Sequence, residues 1–95
     1  MFQIKWLKTA LANLEQAAAY IAKDKPSAAR NFVKKTQKVT SLLADNPEMG
    51  RKGRVKGTRE LIIPGIPYVI IYRVKGERVE IIRLFHTYRR WPSSN

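Results

Sequence analysis

Residues 2–6 of the chain, FQIKW, alternate apolar and polar side chains. A strand places successive side chains on opposite faces, so this alternation is typical of a half-buried strand. Lys5 in its middle favours an edge position in a sheet or a solvent-facing side. We therefore predict a strand over residues 2–6.

Two helices are predicted next, over residues of about 9–23 and 26–45. Thr9 is a candidate N-cap for the first helix. Its apolar residues recur at helical spacing, at Leu11, Leu14, Ala18 and Ile21. Pro47 ends the second helix, because the residue before a proline avoids helical dihedral angles. The connection between the helices is short, which predicts an antiparallel hairpin.

A run of β-forming residues fills the second half of the chain. It predicts three strands, at about residues 58–63, 67–74 and 78–86. Turn residues separate them, PG at 64–65 and KGE at 75–77, and such short turns join antiparallel neighbours. Three consecutive apolar residues at 69–71 indicate that the middle strand is covered on both faces.

These elements predict one α+β domain over residues 1–95. An N-terminal strand and an antiparallel helical hairpin precede a three-stranded antiparallel meander. Packing the hairpin on one face of the sheet would bury the apolar sides of both. The segment 47–57 is predicted to be a loop, and residues 87–95 form a basic tail.

Charge narrows the choice of partners. The chain carries 19 Lys and Arg against 7 Asp and Glu, a formal charge of +12, and the excess is larger after residue 50. Such a field attracts nucleic acid, ribosomes or an acidic protein. Two basic segments are candidate contacts for the target or the partner, and their residues are Arg51, Lys52, Arg54 and Lys56, then Arg89, Arg90 and Trp91. A solvated loop, and a Trp91 that caps the core, are the plainer alternatives.

Other classes of site find little support. There is no cysteine and a single histidine, so no metal site and no cofactor are expected, and a reducing, cytoplasmic location fits best. No signal peptide is recognisable at the N-terminus. No apolar run approaches the length of a membrane span, so no membrane association is expected.

Four residues could together cleave RNA through its own 2′-hydroxyl. That reaction needs a base, an acid and cations on the phosphate. His86 and Tyr88 could move the protons, while Arg59 and Arg83 could hold the phosphate. A structural role for His86, as a hydrogen-bonding group at a strand end, is the alternative.

The sequence resembles the RelE/ParE superfamily of toxins from bacterial type II toxin–antitoxin systems. The resemblance covers nearly the whole chain. It includes the segments IKWLKTALANLEQAAAYIA, SAARNF, LLADNPEMG, VKGTRELIIPGIPYVIIYRV and VEIIRLFHTYRRWP. It implies the fold described above. In RelE-like members the third strand commonly carries an arginine, as in YRLVY, whereas here residues 68–72 read YVIIY, which favours the ParE-like branch.

The resemblance implies a toxin that a cognate acidic antitoxin neutralises. ParE-like members are associated with inhibition of DNA gyrase, which makes gyrase the expected target. RelE-like members instead cut mRNA in the ribosome. The alternative is therefore a metal-independent, ribosome-dependent mRNA endonuclease that uses His86, Tyr88, Arg59 and Arg83.

Overall fold

The structure, a computed structural model, describes residues 1–87. It consists of a helical hairpin packed on one face of a five-stranded sheet. The elements in chain order are β1 (Gln3–Trp6), α1 (Lys8–Asp24), α2 (Pro26–Ser41), a 3₁₀ turn (Leu42–Ala44), β2 (Arg51–Lys52), β3 (Arg59–Ile62), β4 (Tyr68–Lys75) and β5 (Arg78–His86).

The sheet runs in the order β1-β5-β4-β3-β2. Strands β3, β4 and β5 form the predicted antiparallel meander, and this part of the α+β prediction is confirmed. Strand β1 lies at an edge, as its lysine indicated, but it pairs in parallel with β5. The sheet is therefore mixed. Sequence periodicity gives the strand and not the pairing, because the paired residues are far apart in the chain.

Three local expectations need correction. Helix α1 begins at Lys8, with Leu7 at the N-cap position and no side-chain cap, so Thr9 lies inside the first turn. Helix α2 ends at Ser41, and a 3₁₀ turn follows, since helices often tighten at their last turn. The predicted loop 47–57 contains the short strand β2, which pairs with β3.

The core lies between the hairpin and the sheet. It joins buried side chains of the helices, such as Ala17, Phe32 and Val39, with Ile70 and Ile81 of the sheet. All five residues from Tyr68 to Tyr72 are buried, so the middle strand is covered on both faces as predicted. Within residues 1–87, neither helix is both long and apolar enough to cross a membrane.

A β-bulge interrupts the pairing of β4 with β5. Ile71 pairs with Arg83, whereas the next residue, Tyr72, pairs with Ile81. One extra residue, Ile82, is thus accommodated in β5. Two residues of β5 that lie on either side of the bulge, an odd number of positions apart, therefore point to the same face of the sheet. In a regular strand, residues at such a spacing point to opposite faces.

The side chain of Tyr72 ties the segment before β2 to the sheet. Its hydroxyl donates to the carbonyl of Pro47 at 2.8 Å and accepts from the N–H of Gly50 at 2.9 Å. Burial raises the pKa of this hydroxyl, so it remains a donor at neutral pH. A side chain on Gly50 would meet the Tyr72 ring at 2.8 Å, so the close approach requires glycine.

Removing this hydroxyl should destabilise the fold. Tyr72→Phe leaves the buried N–H of Gly50 without its partner, which costs about 1–3 kcal/mol. Urea unfolding should show a lower midpoint with an unchanged slope. Tyr20→Phe, at a residue that is 63% exposed, is the matched control and should change the stability by less than about 0.5 kcal/mol. Equal effects of the two substitutions would contradict this role for Tyr72.

Candidate functional site

One face of the sheet carries no helix, and we call it the helix-free face. Its composition follows from the strand register, because directly paired residues point to the same side. Successive rows hold Ile62, Val69 and Phe85, then Arg51, Glu60, Ile71 and Arg83, then Arg73, Glu80 and Lys5, then Lys75, Arg78 and Gln3. The face is therefore apolar at one end and cationic over the rest.

Two buried carboxylates form ion pairs with three arginines of this face. Glu80 accepts from the Nε of Arg73 at 2.7 Å and lies 3.3 Å from a terminal nitrogen of Arg78. Glu60 lies 3.2 Å from a terminal nitrogen of Arg51 and accepts from the backbone N–H of Arg54. The side chains of Glu80 and Glu60 are only 8% and 5% exposed, whereas those of the three arginines are 44–66% exposed.

The hydrogen bond from Arg73 is the main reason that the pKa of Glu80 lies below its usual value. Burial acts in the opposite direction, and the positive charges of Arg73, Arg78 and Lys75 lower the pKa further. Glu80 is therefore ionised at neutral pH. Its charge orders two guanidinium groups on the sheet surface.

The structure divides the predicted basic loop between two surfaces. Arg51 and Arg54 lie beside Glu60 on the helix-free face. Lys52 pairs with Arg59 in the register, so it points to the other side. Lys52 and Lys56 line a separate depression of about 310 Å³ with Arg59.

The four residues proposed for RNA cleavage are not all brought together. Arg83 is exposed on the helix-free face. Arg59 lies in register with the core residue Tyr72, and its guanidinium donates to the carbonyl of Gly50 at 2.7 Å. Arg59 therefore stabilises the start of β2 on the opposite side of the sheet from Arg83.

His86 packs at the far end of β4. It pairs with Tyr68, and the two rings meet edge to face with centroids 5.1 Å apart. Tyr68 in turn contacts Phe32 of α2, so this aromatic row lies on the side of the helices. His86 pairs with Tyr68, and Arg59 pairs with Tyr72. Tyr68 and Tyr72 are four residues apart, roughly 13 Å along a strand, so His86 and Arg59 are separated by about that distance.

The remaining predicted site residues, Tyr88, Arg89, Arg90 and Trp91, lie outside the described residues. Within the described part of the chain, no three His, Cys, Asp or Glu side chains come together to hold a metal ion.

A second surface is an apolar groove on the helical hairpin, which we call the hairpin groove. It has a volume of about 580 Å³ and is lined by Ala18, Ala19, Ala22, Pro26, Ala29, Arg30, Val33 and Lys34. Small side chains from both helices leave the groove open. Arg30 and Lys34 are exposed and make its rim cationic, so the groove suits an apolar segment with acidic neighbours.

Arg51, Arg54 and Arg83 were candidate site residues in the sequence, but the sequence pattern did not show that they share the helix-free face, and it did not locate the hairpin groove by residue. Arg73, Lys75 and Arg78 alternate along two adjoining strands, and this period-two spacing of charge was the available signal. The hairpin groove had only the abundance of alanine in α1 as its signal. Alanine favours a helix anywhere, so its role in opening a groove depends on how the two helices meet.

Acid unfolding should test the contacts of Glu80. The pKa of a glutamate in the unfolded chain is about 4.3, and the folded pKa is lower. The contacts therefore stabilise the fold fully above the unfolded value, and this contribution is lost as the pH falls through the folded pKa. We expect Glu80→Gln to lower the urea midpoint at neutral pH, with a difference from wild type that shrinks below about pH 4.

The charge-matched control is Glu15→Gln, at an exposed position of α1. It should leave the urea midpoint nearly unchanged. A deficit of Glu80→Gln that stays constant from neutral to acid pH would rule out a contribution from the ionised carboxylate.

Comparison with known proteins places the chain in a family. Residues 4–91 match the family described as "ParE toxin of type II toxin-antitoxin system, parDE". The "Putative toxin Y4kP" of Sinorhizobium fredii is 42% identical over 90 residues, which cover 95% of this chain and 93% of that protein. These matches confirm the assignment to the ParE-like branch.

Comparison with solved structures supports the same assignment. One described as "Chromosomal ParDE TA system from P. aeruginosa" has a TM-score of 0.80 and 28% identity, and the match covers 90% of this chain and 96% of that one. The isolated E. coli RelE toxin has a TM-score of 0.61 and 16% identity over 99% and 93% of the two chains, a likeness of fold alone. Since the family match spans nearly its whole length, the chain belongs to the ParE toxin family of type II toxin–antitoxin systems.

Proposed function

We propose that this ParE family toxin inhibits DNA gyrase and that a cognate acidic antitoxin neutralises it. The observation that favours inhibition by binding over RNA cleavage is the separation of Arg59 from Arg83. Cleavage needs cations and a proton-transferring group around one phosphate. Here Arg59 donates to a backbone carbonyl instead. Inhibition by binding requires no such convergence.

The proposed contact with gyrase combines the basic segment 51–56 with the end of β5 and the residues after it. Arg51, Lys52, Arg54 and Lys56 are all exposed. The sequence after His86 adds Arg89, Arg90 and Trp91, and arginine with an aromatic residue is a common anchor of protein interfaces. A gyrase inhibitor acts where the chromosome is, so the proposed location is the cytoplasm.

A supercoiling assay tests this proposal. Purified toxin should block supercoiling of relaxed plasmid by gyrase, and addition of the cognate antitoxin should restore it. Replacing Lys52 and Lys56 by Gln should weaken inhibition, because two exposed cations leave the proposed contact. The matched control replaces Lys23 and Lys38, which are exposed on the helices, and should retain full inhibition. Unchanged gyrase activity at saturating toxin would refute the proposal.

The alternative activity is ribosome-dependent cleavage of mRNA. Its support is the exposed position of Arg83, which could contact a phosphate, although His86 lies on the other face of the same strand. Primer extension on translated mRNA distinguishes the two functions. New 5′ ends that disappear in His86→Ala and Tyr88→Phe would establish the nuclease, and their absence with ribosomes present would exclude it.

The antitoxin is proposed to place an apolar segment in the hairpin groove. The chain carries +12, and exposed Arg30 and Lys34 border the groove, so an acidic segment is attracted and its apolar side chains are then buried. A segment that is disordered alone and folds on binding would gain this apolar contact as it orders. The solved structure described as a ParDE system supports the existence of such a partner.

A negative charge in the groove should weaken this complex. Ala22→Glu fills part of the groove and repels an acidic partner, so we expect the affinity for the cognate antitoxin to fall at least about tenfold, or about 1.4 kcal/mol. Titration calorimetry measures this loss. Asn31→Glu adds the same charge at an exposed position of α2 outside the groove and should bind nearly as wild type. Equal affinities of the two variants would place the antitoxin elsewhere.

A further inference from the structure

We infer that the helix-free face binds the phosphodiester backbone of a nucleic acid without sequence preference. This inference goes beyond the proposed function, because it rests on the face itself and does not depend on the identity of the toxin's target. The supporting observations are the type of cation on this face, the burial of its carboxylates and the geometry of its rows.

The arginines of this protein are concentrated in the sheet half of the chain. Six of the seven arginines in the described chain lie between residues 51 and 83, and Arg30 is the one on the helices. The strand register places four of the six on the helix-free face, at Arg51, Arg73, Arg78 and Arg83, and Arg54 lies beside Glu60 on the same face. The planar guanidinium presents paired donors that match phosphate oxygens, whereas lysine acts as a point charge. Arginine on this face therefore indicates recognition of phosphate rather than solubility alone.

The negative charges of the face lie beneath the positive ones. Glu60 and Glu80 have side chains that are 5% and 8% exposed, and the arginines above them are 44–66% exposed. An incoming polyanion thus meets guanidinium groups and not carboxylates. Because the carboxylates already hold Arg51, Arg73 and Arg78 in place, less side-chain entropy is lost when a phosphate binds.

The geometry of the strands arranges these cations in rows. Arg83, Arg73 and Lys75 occupy three successive rows, which lie roughly 7 Å apart along the strands, while neighbouring strands are about 4.8 Å apart. Lys5 and Arg78 extend the second and third rows. Asparagine and glutamine, which read base edges, are represented in these rows by Gln3 alone. Contacts of this kind position a backbone and do not read its sequence.

An acidic protein fits this face less well. Protein interfaces have an apolar centre with a polar rim, but here the apolar row of Ile62, Val69 and Phe85 lies at one end and the cations lie beyond it. The apolar residue among the cationic rows, Ile71, is buried, so a protein partner would have to desolvate these cations with little apolar contact in return. A phosphodiester strand gains from counterion release on such a surface.

The test is fluorescence anisotropy of the full chain with a labelled DNA duplex and, separately, a labelled single-stranded RNA, each over a range of salt concentrations. Wild type should bind at least one of the two nucleic acids, with an affinity that falls steeply as the salt concentration rises. The affinity should be the same for an oligonucleotide of scrambled sequence. The double variant Arg83→Gln, Lys75→Gln removes two exposed cations. It should reduce the slope of log affinity against log salt by about two.

Among the described residues, the ion pairs of Glu60 and Glu80 are made by Arg51, Arg73 and Arg78, and not by Arg83 or Lys75. The double variant should therefore fold normally, as measured by circular dichroism. The matched control is Lys23→Gln, Lys38→Gln, which removes the same charge from the helices. Its slope should stay near that of wild type. Arg83→Lys in the background of wild-type Lys75 should keep the slope but bind more weakly, because the paired donors are lost.

Three results would overturn the inference. The first is an equal loss of slope in the control variant Lys23→Gln, Lys38→Gln, which would mean that net charge alone accounts for the binding of nucleic acid. The second is displacement of the oligonucleotide by poly-glutamate at equal charge concentration, which would indicate an acidic protein ligand. The third is no binding to either nucleic acid at low salt. A toxin that still inhibits gyrase in that last case would leave the proposed function intact.

Discussion

The antiparallel ladder between β4 and β5 is the constraint on which the rest of this protein depends. These are the two longest strands, and every other element is placed through them: β1 on the free side of β5, β3 and β2 beyond β4, and the hairpin over one face. The bulge at Ile82 sets the register of this ladder. Because the bulge absorbs one residue, Glu80 and Arg83 share a face although three positions separate them, and a regular strand would have turned Arg83 toward the helices.

This arrangement gives a small basic protein two separate surfaces. The hairpin groove is made by α1 and α2, and the helix-free face lies on the other side of the sheet. Between them, Tyr72 and Arg59 fix the segment that begins at Pro47 by hydrogen bonds to its backbone. A protein that must bind an antitoxin and also act on a target gains from surfaces that can be occupied independently.

Buried carboxylates reduce the electrostatic repulsion that the high positive charge causes in the folded state. A formal charge of +12 in 95 residues produces self-repulsion that opposes the compact state. Glu60 and Glu80 offset part of it locally, through ion pairs with Arg51, Arg73 and Arg78. The cost of burying each carboxylate is met by charge-assisted hydrogen bonds. The same contacts that stabilise the sheet therefore leave the outward-facing donors ordered for binding.

Much of this was determined by the sequence itself. The alternation at residues 2–6, the helical spacing after it and the turn residues at 64–65 and 75–77 are local signals, and they identified the strands, the hairpin and the meander. The family resemblance rested on the order of these same segments. Neither the parallel pairing of β1 with β5 nor the short strand β2 could be derived from them, because both depend on partners distant in the chain.

Only the tertiary structure decided which charged residues act together. In sequence, Arg59 and Arg83 were equivalent candidates for holding a phosphate, yet Arg59 faces backbone carbonyls and Arg83 faces solvent on the opposite side. The reason is physical. The face of a strand residue is set by its register with its neighbours, and a single bulged residue reverses that face for everything that follows.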